Sequence, residues 1–137
     1  MTDEDRGPAI ALRQVAAGNG ASECWTIGWE VENRGTKPLK LLAARLPHGQ
    51  FKSEELRFEP ALELPPDGRE KFEISVHCNE PSGLVTENAF VIFHAIWSGE
   101  LWRIFARVRV VVDSGGVPEA GTESITTQKV GFSGISS

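Results

Sequence analysis

Two cysteines and one histidine are the residues of this sequence best suited to metal or thiol chemistry. Cys24 begins one predicted strand, and His77 and Cys78 end another. If these strands pair antiparallel, the three side chains lie near one end of a sheet, and two thiols with an imidazole suit a soft metal ion. However, the spacing contains no Cys-x-x-Cys pair, no fourth ligand is evident, and adjacent strand residues point to opposite faces. We expect reduced structural thiols, with no metal, cofactor or redox pair.

The other histidines, His48 and His94, have no evident catalytic partners. A nucleophile–His–Asp arrangement needs a buried carboxylate that orients the imidazole. The four aspartates instead lie near the N-terminus, in a turn or at a strand end: Asp3, Asp5, Asp67 and Asp113. Most glutamates alternate with apolar residues, as on solvated strand faces, so no carboxylate pair for acid–base catalysis stands out. Because phosphate-binding glycine loops and nucleic-acid motifs are also missing, we expect a protein without enzymatic activity.

The segment 88–113 is the part of the sequence best suited to binding a partner. It reads NAFVIFHAIW, SGE and LWRIFARVRVVVD. Two β-rich apolar runs on either side of a glycine-containing turn predict a β-hairpin. A two-residue turn at Ser98-Gly99 sets the register of this hairpin, and a loop one residue longer or shorter would exchange the faces of one strand. The pairs expected from the two-residue turn are Trp97 with Glu100, Phe93 with Ile104 and Val91 with Ala106.

This register gives the hairpin two different faces. The inner face is apolar and is expected in the core: Val91, Phe93, Ala95, Trp102, Ile104, Ala106 and Val108. The outer face mixes basic with aromatic and aliphatic residues, among them Phe90, Ile92, His94, Arg103, Phe105 and Arg107. Since arginine and aromatic residues are enriched in binding hot spots, we predict that this face binds a protein partner or a second copy of the chain. Cover by the chain's own tail or by a loop is the open alternative.

Trp97 and Trp102 flank the tip of the hairpin and suggest a second kind of binding. An exposed aromatic pair at that position could stack on a sugar ring, so a carbohydrate- or small-ligand-binding domain is the alternative function. Packing of both rings in the core is the competing interpretation, and it is the one we favour.

An antiparallel β-sandwich would position these residues. The run ECWTIGWEVENRG alternates strictly and places Trp25, Ile27, Trp29 and Val31 on one face. Residues 69–78 alternate in the same way, and weaker strand patterns cover 9–15, 39–46, 56–58 and 61–64. About seven short strands without a convincing helix predict an all-β, antiparallel Ig-like β-sandwich, with a small β-barrel as the alternative.

Two turns in the first half of the chain carry a family resemblance. VENRGTKPL and LELPPDGREKFEISV together show a strand that ends in an Asn-x-Gly turn, a Leu-x-Pro-x-Gly-type turn and an alternating strand. This pattern resembles the bacterial Ig-like domains of the CARDB or NEW3 kind, over roughly residues 25–76. The resemblance implies an adhesive or accessory module, commonly exported, and supplies no site residues.

Composition and charge limit the possible partners. The 137 residues suit one domain, and a net charge of −5 with a pI near 5.2 argues against a nucleic-acid binder. No apolar run reaches the roughly 18 residues that cross a bilayer, and the start, MTDEDRGP, is acidic and polar, so we expect a cytoplasmic protein. We divide the chain into a polar leader (1–8), the sandwich (9–113) and a Gly/Ser/Thr-rich tail (114–137). The tail is either flexible or docked as an edge strand through its apolar residues, Ile125, Val130, Phe132 and Ile135.

Overall fold

The chain forms two antiparallel β-sheets that pack face to face. A computed structural model describes residues 7–19, 24–48, 51–78 and 83–130. The strands in this part of the chain are β1 (Ile10–Asn19), β2 (Cys24–Asn33), β3 (Leu39–Arg45), β4 (Pro47–His48), β5 (Phe51–Lys52), β6 (Leu56–Leu64), β7 (Arg69–His77), β8 (Val85–Trp97), β9 (Glu100–Val112) and β10 (Pro118–Lys129). The predicted all-β antiparallel sandwich is confirmed. The described strands number ten rather than about seven, because β4 and β5 are two-residue strands and the tail supplies β10.

The order of the strands within the sheets is Ig-like. Sheet A has the order β1-β2-β7-β5-β4, and sheet B has the order β10-β9-β8-β3-β6. Strands β2 and β7 are neighbours in one sheet, whereas β3, β8 and β9 are neighbours in the other. This is the arrangement of strands B and E opposite strands C, F and G in Ig-like domains. None of the described elements is a helix long and apolar enough to cross a membrane.

The core lies between the two sheets and follows the alternation of the sequence. Ile27, Trp29 and Val31 of β2 are fully buried, whereas Trp25 at the end of the strand is half-buried. Edge-to-face contacts join Phe58 to Phe72 and Phe72 to Phe93, with ring centroids 5.2 and 5.9 Å apart. Because these rings come from β6, β7 and β8, the aromatic contacts connect both sheets.

Strand β10 joins the two sheets along one side of the sandwich. Residues 118–129 pair antiparallel with β9. The sequence alone did not decide between a flexible tail and an edge strand for this segment. The Gln14 side chain of β1 donates to Pro118 O (3.1 Å) and accepts from Ala120 N (2.8 Å), while Thr122 Oγ1 donates to Leu12 O (2.8 Å). Sheet B therefore curls onto sheet A at this side. Ile125 packs partly buried against the core, whereas Phe132 and Ile135 lie outside the described residues.

Asn33, at the end of β2, connects the two turns on which the family resemblance is based. Its side chain is fully buried. Asn33 Nδ2 donates to Lys37 O and to Leu64 O (both 2.8 Å), and its Oδ1 accepts from Gly35 N (2.9 Å). Its backbone also bonds the second turn, since Asn33 N donates to Gly68 O and Asp67 N donates to Asn33 O (both 2.9 Å). One side chain thus joins the end of β2 in sheet A to the end of β6 in sheet B.

Candidate binding face

The β8–β9 hairpin has the register that a two-residue turn at Ser98-Gly99 predicts. Trp97 is opposite Glu100, Phe93 is opposite Ile104 and Val91 is opposite Ala106. Ser98 and Gly99 both have positive φ, 54° and 76°, as the tight hairpin turn that matches strand twist requires. All seven residues expected on the inner face are buried. The residues of the outer face therefore point away from the core.

Neighbouring strands extend this outer face across sheet B, because register partners on adjacent strands point to the same side. We call the residues in the following three rows the outer face. The first row is Arg57, Ala43, His94, Arg103 and Gln128; the second is Arg45, Ile92, Phe105 and Thr126; the third is Phe90, Arg107 and Ser124. All six residues predicted for partner binding are thus brought together. The sequence did not predict that Arg45 and Arg57 belong to this face, because no local pattern shows which strands flank the hairpin.

The centre of the outer face is apolar and only partly covered. The Phe90 and Phe105 rings make an edge-to-face contact with centroids 6.5 Å apart, and both residues are half-buried. Ile92 stands between Arg45 and Phe105 in its row and is 7% exposed. The described part of the tail forms the edge of this sheet rather than a layer over it, so the aromatic centre remains accessible there.

Arginines surround this centre, and only some of them have acidic partners. Arg107 Nη1 donates to Asn88 Oδ1 (3.3 Å), and Arg107 Nε lies 4.0 Å from Glu123 Oε1. By contrast, Arg45, Arg57 and Arg103 form no ion pair with another described residue. Arg57 and Arg103 are exposed, and Arg45 is half-buried. The outer face is therefore locally basic in a chain whose net charge is −5.

A hollow of about 380 Å³ opens in the first row of the outer face. The small side chain of Ala43 stands there between Arg57 and His94, and Arg103 completes the wall on the far side. His94 Nε2 is buried and has no hydrogen-bond partner among the described residues, and Glu55 Oε1 lies 3.9 Å away. The hollow thus offers two arginines to an entering group, although the Glu55 carboxylate also lines it.

The hairpin-tip tryptophans are core residues and not an exposed pair. Trp97 is 3% exposed and Trp102 is 9% exposed, and their rings meet edge-to-face with centroids 5.8 Å apart. Lys37 Nζ lies 5.4 Å above the Trp97 ring. Neither ring offers the open face that sugar stacking needs, so this geometry gives the carbohydrate-binding alternative no support.

Tryptophan fluorescence should report this burial. Because Trp29, Trp97 and Trp102 are buried and Trp25 is half-buried, we expect blue-shifted emission with a minor acrylamide-quenchable component. The substitution Trp25→Phe should remove most of that component, and measurement of quenching before and after the substitution tests this. A Trp25→Phe protein that keeps a red-shifted, readily quenched emission would contradict the burial of the hairpin-tip pair.

The thiol and imidazole cluster has the expected position. Cys24 is the register partner of His77, so the three residues do lie near one end of sheet A. Cys24 is half-buried and Cys78 is buried, and neither forms a disulfide. Among the described side chains, no three His, Cys, Asp or Glu residues are grouped closely enough to hold a metal ion. The His48 side chain lies outside the described part.

Comparison with known proteins adds no assignment to this geometry. No protein-family model matches the chain, and no curated protein matches it significantly in sequence.

Proposed function

We propose that this chain is a non-enzymatic, Ig-like interaction module that binds an acidic segment of a protein partner through the outer face. The proposal rests on two features of one sheet surface: three arginines that have no acidic partner among the described residues, and a half-buried aromatic pair. Aromatic residues supply contact area and arginines supply charge-assisted hydrogen bonds, which is the composition of binding hot spots.

Charge favours an acidic partner over a second copy of the chain. A two-fold contact brings the same patch of both subunits together. It would place Arg45, Arg57 and Arg103 of one copy against those of another, and juxtaposed like charges disfavour association. A segment rich in Asp or Glu would instead neutralise them. One carboxylate could enter the hollow beside Ala43, between Arg57 and Arg103.

We propose a module of the CARDB or NEW3 kind that acts in the cytoplasm. The two turns that carry the resemblance meet at Asn33, which supports reading them as one structural signature. The resemblance implies an adhesive or accessory module, a role with which binding of another protein is consistent.

The test uses the purified chain and a displayed library of random twelve-residue peptides. We expect enriched peptides to combine Asp or Glu with aromatic residues and to bind less tightly as salt screens the charges. The Arg57→Gln/Arg103→Gln variant should bind them at least about tenfold more weakly, since two charge-assisted contacts are lost. The matched control is Arg13→Gln/Arg34→Gln, which removes the same charge from other exposed positions.

Two results would overturn the proposal. One is enrichment of peptides without acidic residues, or an equal loss of affinity in the control variant. The other is a concentration-dependent dimer in sedimentation velocity that Arg57→Gln/Arg103→Gln abolishes, because this would assign the outer face to a second copy.

A further inference from the structure

One edge of strand β7 is almost entirely unpaired within the part of the chain that the structure describes. Along its first edge it pairs with β2 from Arg69 to His77. Along its second edge the one described register pair is Lys52 with His77, at the very end of the strand. Alternate N–H and C=O groups of an antiparallel strand point to each edge, so the second edge presents a row of backbone donors and acceptors.

A groove of about 560 Å³ runs along this free edge. Five consecutive residues of β7, 73–77, form one wall together with Cys24 of β2, and the segment 52–56 forms the opposite wall. Five extended residues span roughly 16 Å, which is the length of a short strand. Ile74 and Val76 are buried beneath the groove, and Leu56 is half-buried beside it. The groove therefore has the length and the apolar floor for one added strand.

Acidic side chains dominate the charge of the groove. Glu54, Glu55 and Glu73 line it together with one cation, Lys52. Glu55 also approaches His94 on the outer face, whereas Glu54 and Glu73 are exposed and have no ion pair with another described residue. A bound strand that carries lysine or arginine would thus be attracted, and an acidic strand would be repelled.

We infer that this groove takes up an extended, basic peptide segment of a partner, which adds to sheet A as a strand along β7. Backbone hydrogen bonds to the free edge supply affinity, and the acidic rim selects the charge. A second copy of the chain fits less well. In a second copy, β7 lies between β2 and segment 52–56. To place that β7 in the groove, the rest of its sheet would have to fit past the wall formed by segment 52–56. This site meets the outer face at Glu55, which lies beside both, and it takes the opposite charge.

The probe for the experiment is a spin-labelled (Val-Lys)4 peptide, with (Val-Glu)4 as the charge control. A third peptide has the sequence of the probe with alternate backbone nitrogens methylated, which removes hydrogen-bond donors and leaves the side chains unchanged. In NMR spectra of the full chain, we expect the probe to broaden the amide resonances of residues 73–77 and 52–56. Binding of the acidic peptide should be at least about fivefold weaker, and the methylated peptide should lose binding.

Protein variants separate the groove from the outer face. Glu54→Gln/Glu73→Gln should weaken binding of the probe about fivefold. The exposed pair Glu63→Gln/Glu119→Gln loses the same charge elsewhere and should leave binding unchanged, as should Arg57→Gln/Arg103→Gln. Broadening confined to residues 90–107, or equal binding of the methylated peptide, overturns the inference. A dimer whose β7 amides are protected from exchange and are not released by the probe also overturns it, because a second copy then fills the groove.

Discussion

Replacement of Trp29 by alanine is expected to lower the free energy of unfolding by about 3–5 kcal/mol. Trp29 is completely buried at the centre of β2, between its register partners Gln14 of β1 and Phe72 of β7. Its removal leaves a large cavity that the surrounding strands can close only in part, because both neighbours are fixed by backbone pairing. Domains of this size are stable by about 5–15 kcal/mol, so the loss is a large fraction of the total. Thermal and urea unfolding monitored by circular dichroism measure it.

Two further substitutions test the cause of that loss. Trp29 Nε1 is buried and has no hydrogen-bond partner in the described part of the chain, so Trp29→Phe removes ring volume but no hydrogen bond seen there. We expect Trp29→Phe to cost about 1–2 kcal/mol. Trp25→Ala, on the same face of β2 but half-buried, should cost less than Trp29→Ala. If the Trp29→Ala protein melts within a few degrees of the parent, or if Trp25→Ala costs as much, the core is not centred on Trp29.

The sequence predicts the local pairing in this fold well. The strict alternation from Trp25 to Val31 specifies which face of β2 is buried, because a one-residue shift would expose every large side chain. In the same way, the Ser98-Gly99 turn specifies the whole β8–β9 register, because a two-residue loop allows only one antiparallel register. Each prediction depends on residues that are close in sequence, and the structure has both features.

Contacts between distant segments could not be predicted in this way. The outer face includes Arg45 and Arg57 because β3 and β6 lie beside the hairpin, and that order follows from how the two sheets pack. The tail is compositionally similar to a flexible segment, yet hydrogen bonds of the Gln14 and Thr122 side chains fix its strand β10 against β1, across more than a hundred residues of sequence. The free edge of β7 is likewise a property of the assembled sheet, because it depends on β5 ending at Lys52.

The two proposed binding surfaces differ in both geometry and charge. The outer face is the broad side of sheet B, where side chains provide all contacts and the excess charge is positive. The β7 groove follows the second edge of β7 in sheet A, where backbone groups are available and the excess charge is negative. Because a single basic or acidic segment is attracted to one surface and repelled by the other, the two sites can select different partners on one small domain.

Replacement of Asn33 by alanine is expected to lower the free energy of unfolding by about 2–4 kcal/mol. The substitution leaves Leu64 O, Lys37 O and Gly35 N without their partner, and each buried unsatisfied group costs about 1–3 kcal/mol where water cannot replace the bond. Asn33→Asp keeps the shape and the acceptor for Gly35 N, but places carboxylate oxygen against two carbonyl oxygens. We therefore expect Asn33→Asp to be at least as destabilising as Asn33→Ala at neutral pH.

A comparison with Gln14→Ala shows whether burial sets the size of this effect. Gln14 also bridges the two sheets by side-chain hydrogen bonds, but it is half-buried. After its replacement by alanine, water can therefore reach the two backbone groups that it bonds, Pro118 O and Ala120 N. Its loss should cost only about 1 kcal/mol. Urea unfolding of the three variants measures all of these values. If Asn33→Asp is within about 1 kcal/mol of the parent, the Nδ2 bonds do not hold the sheets together, and the Asn-x-Gly motif is a local turn only.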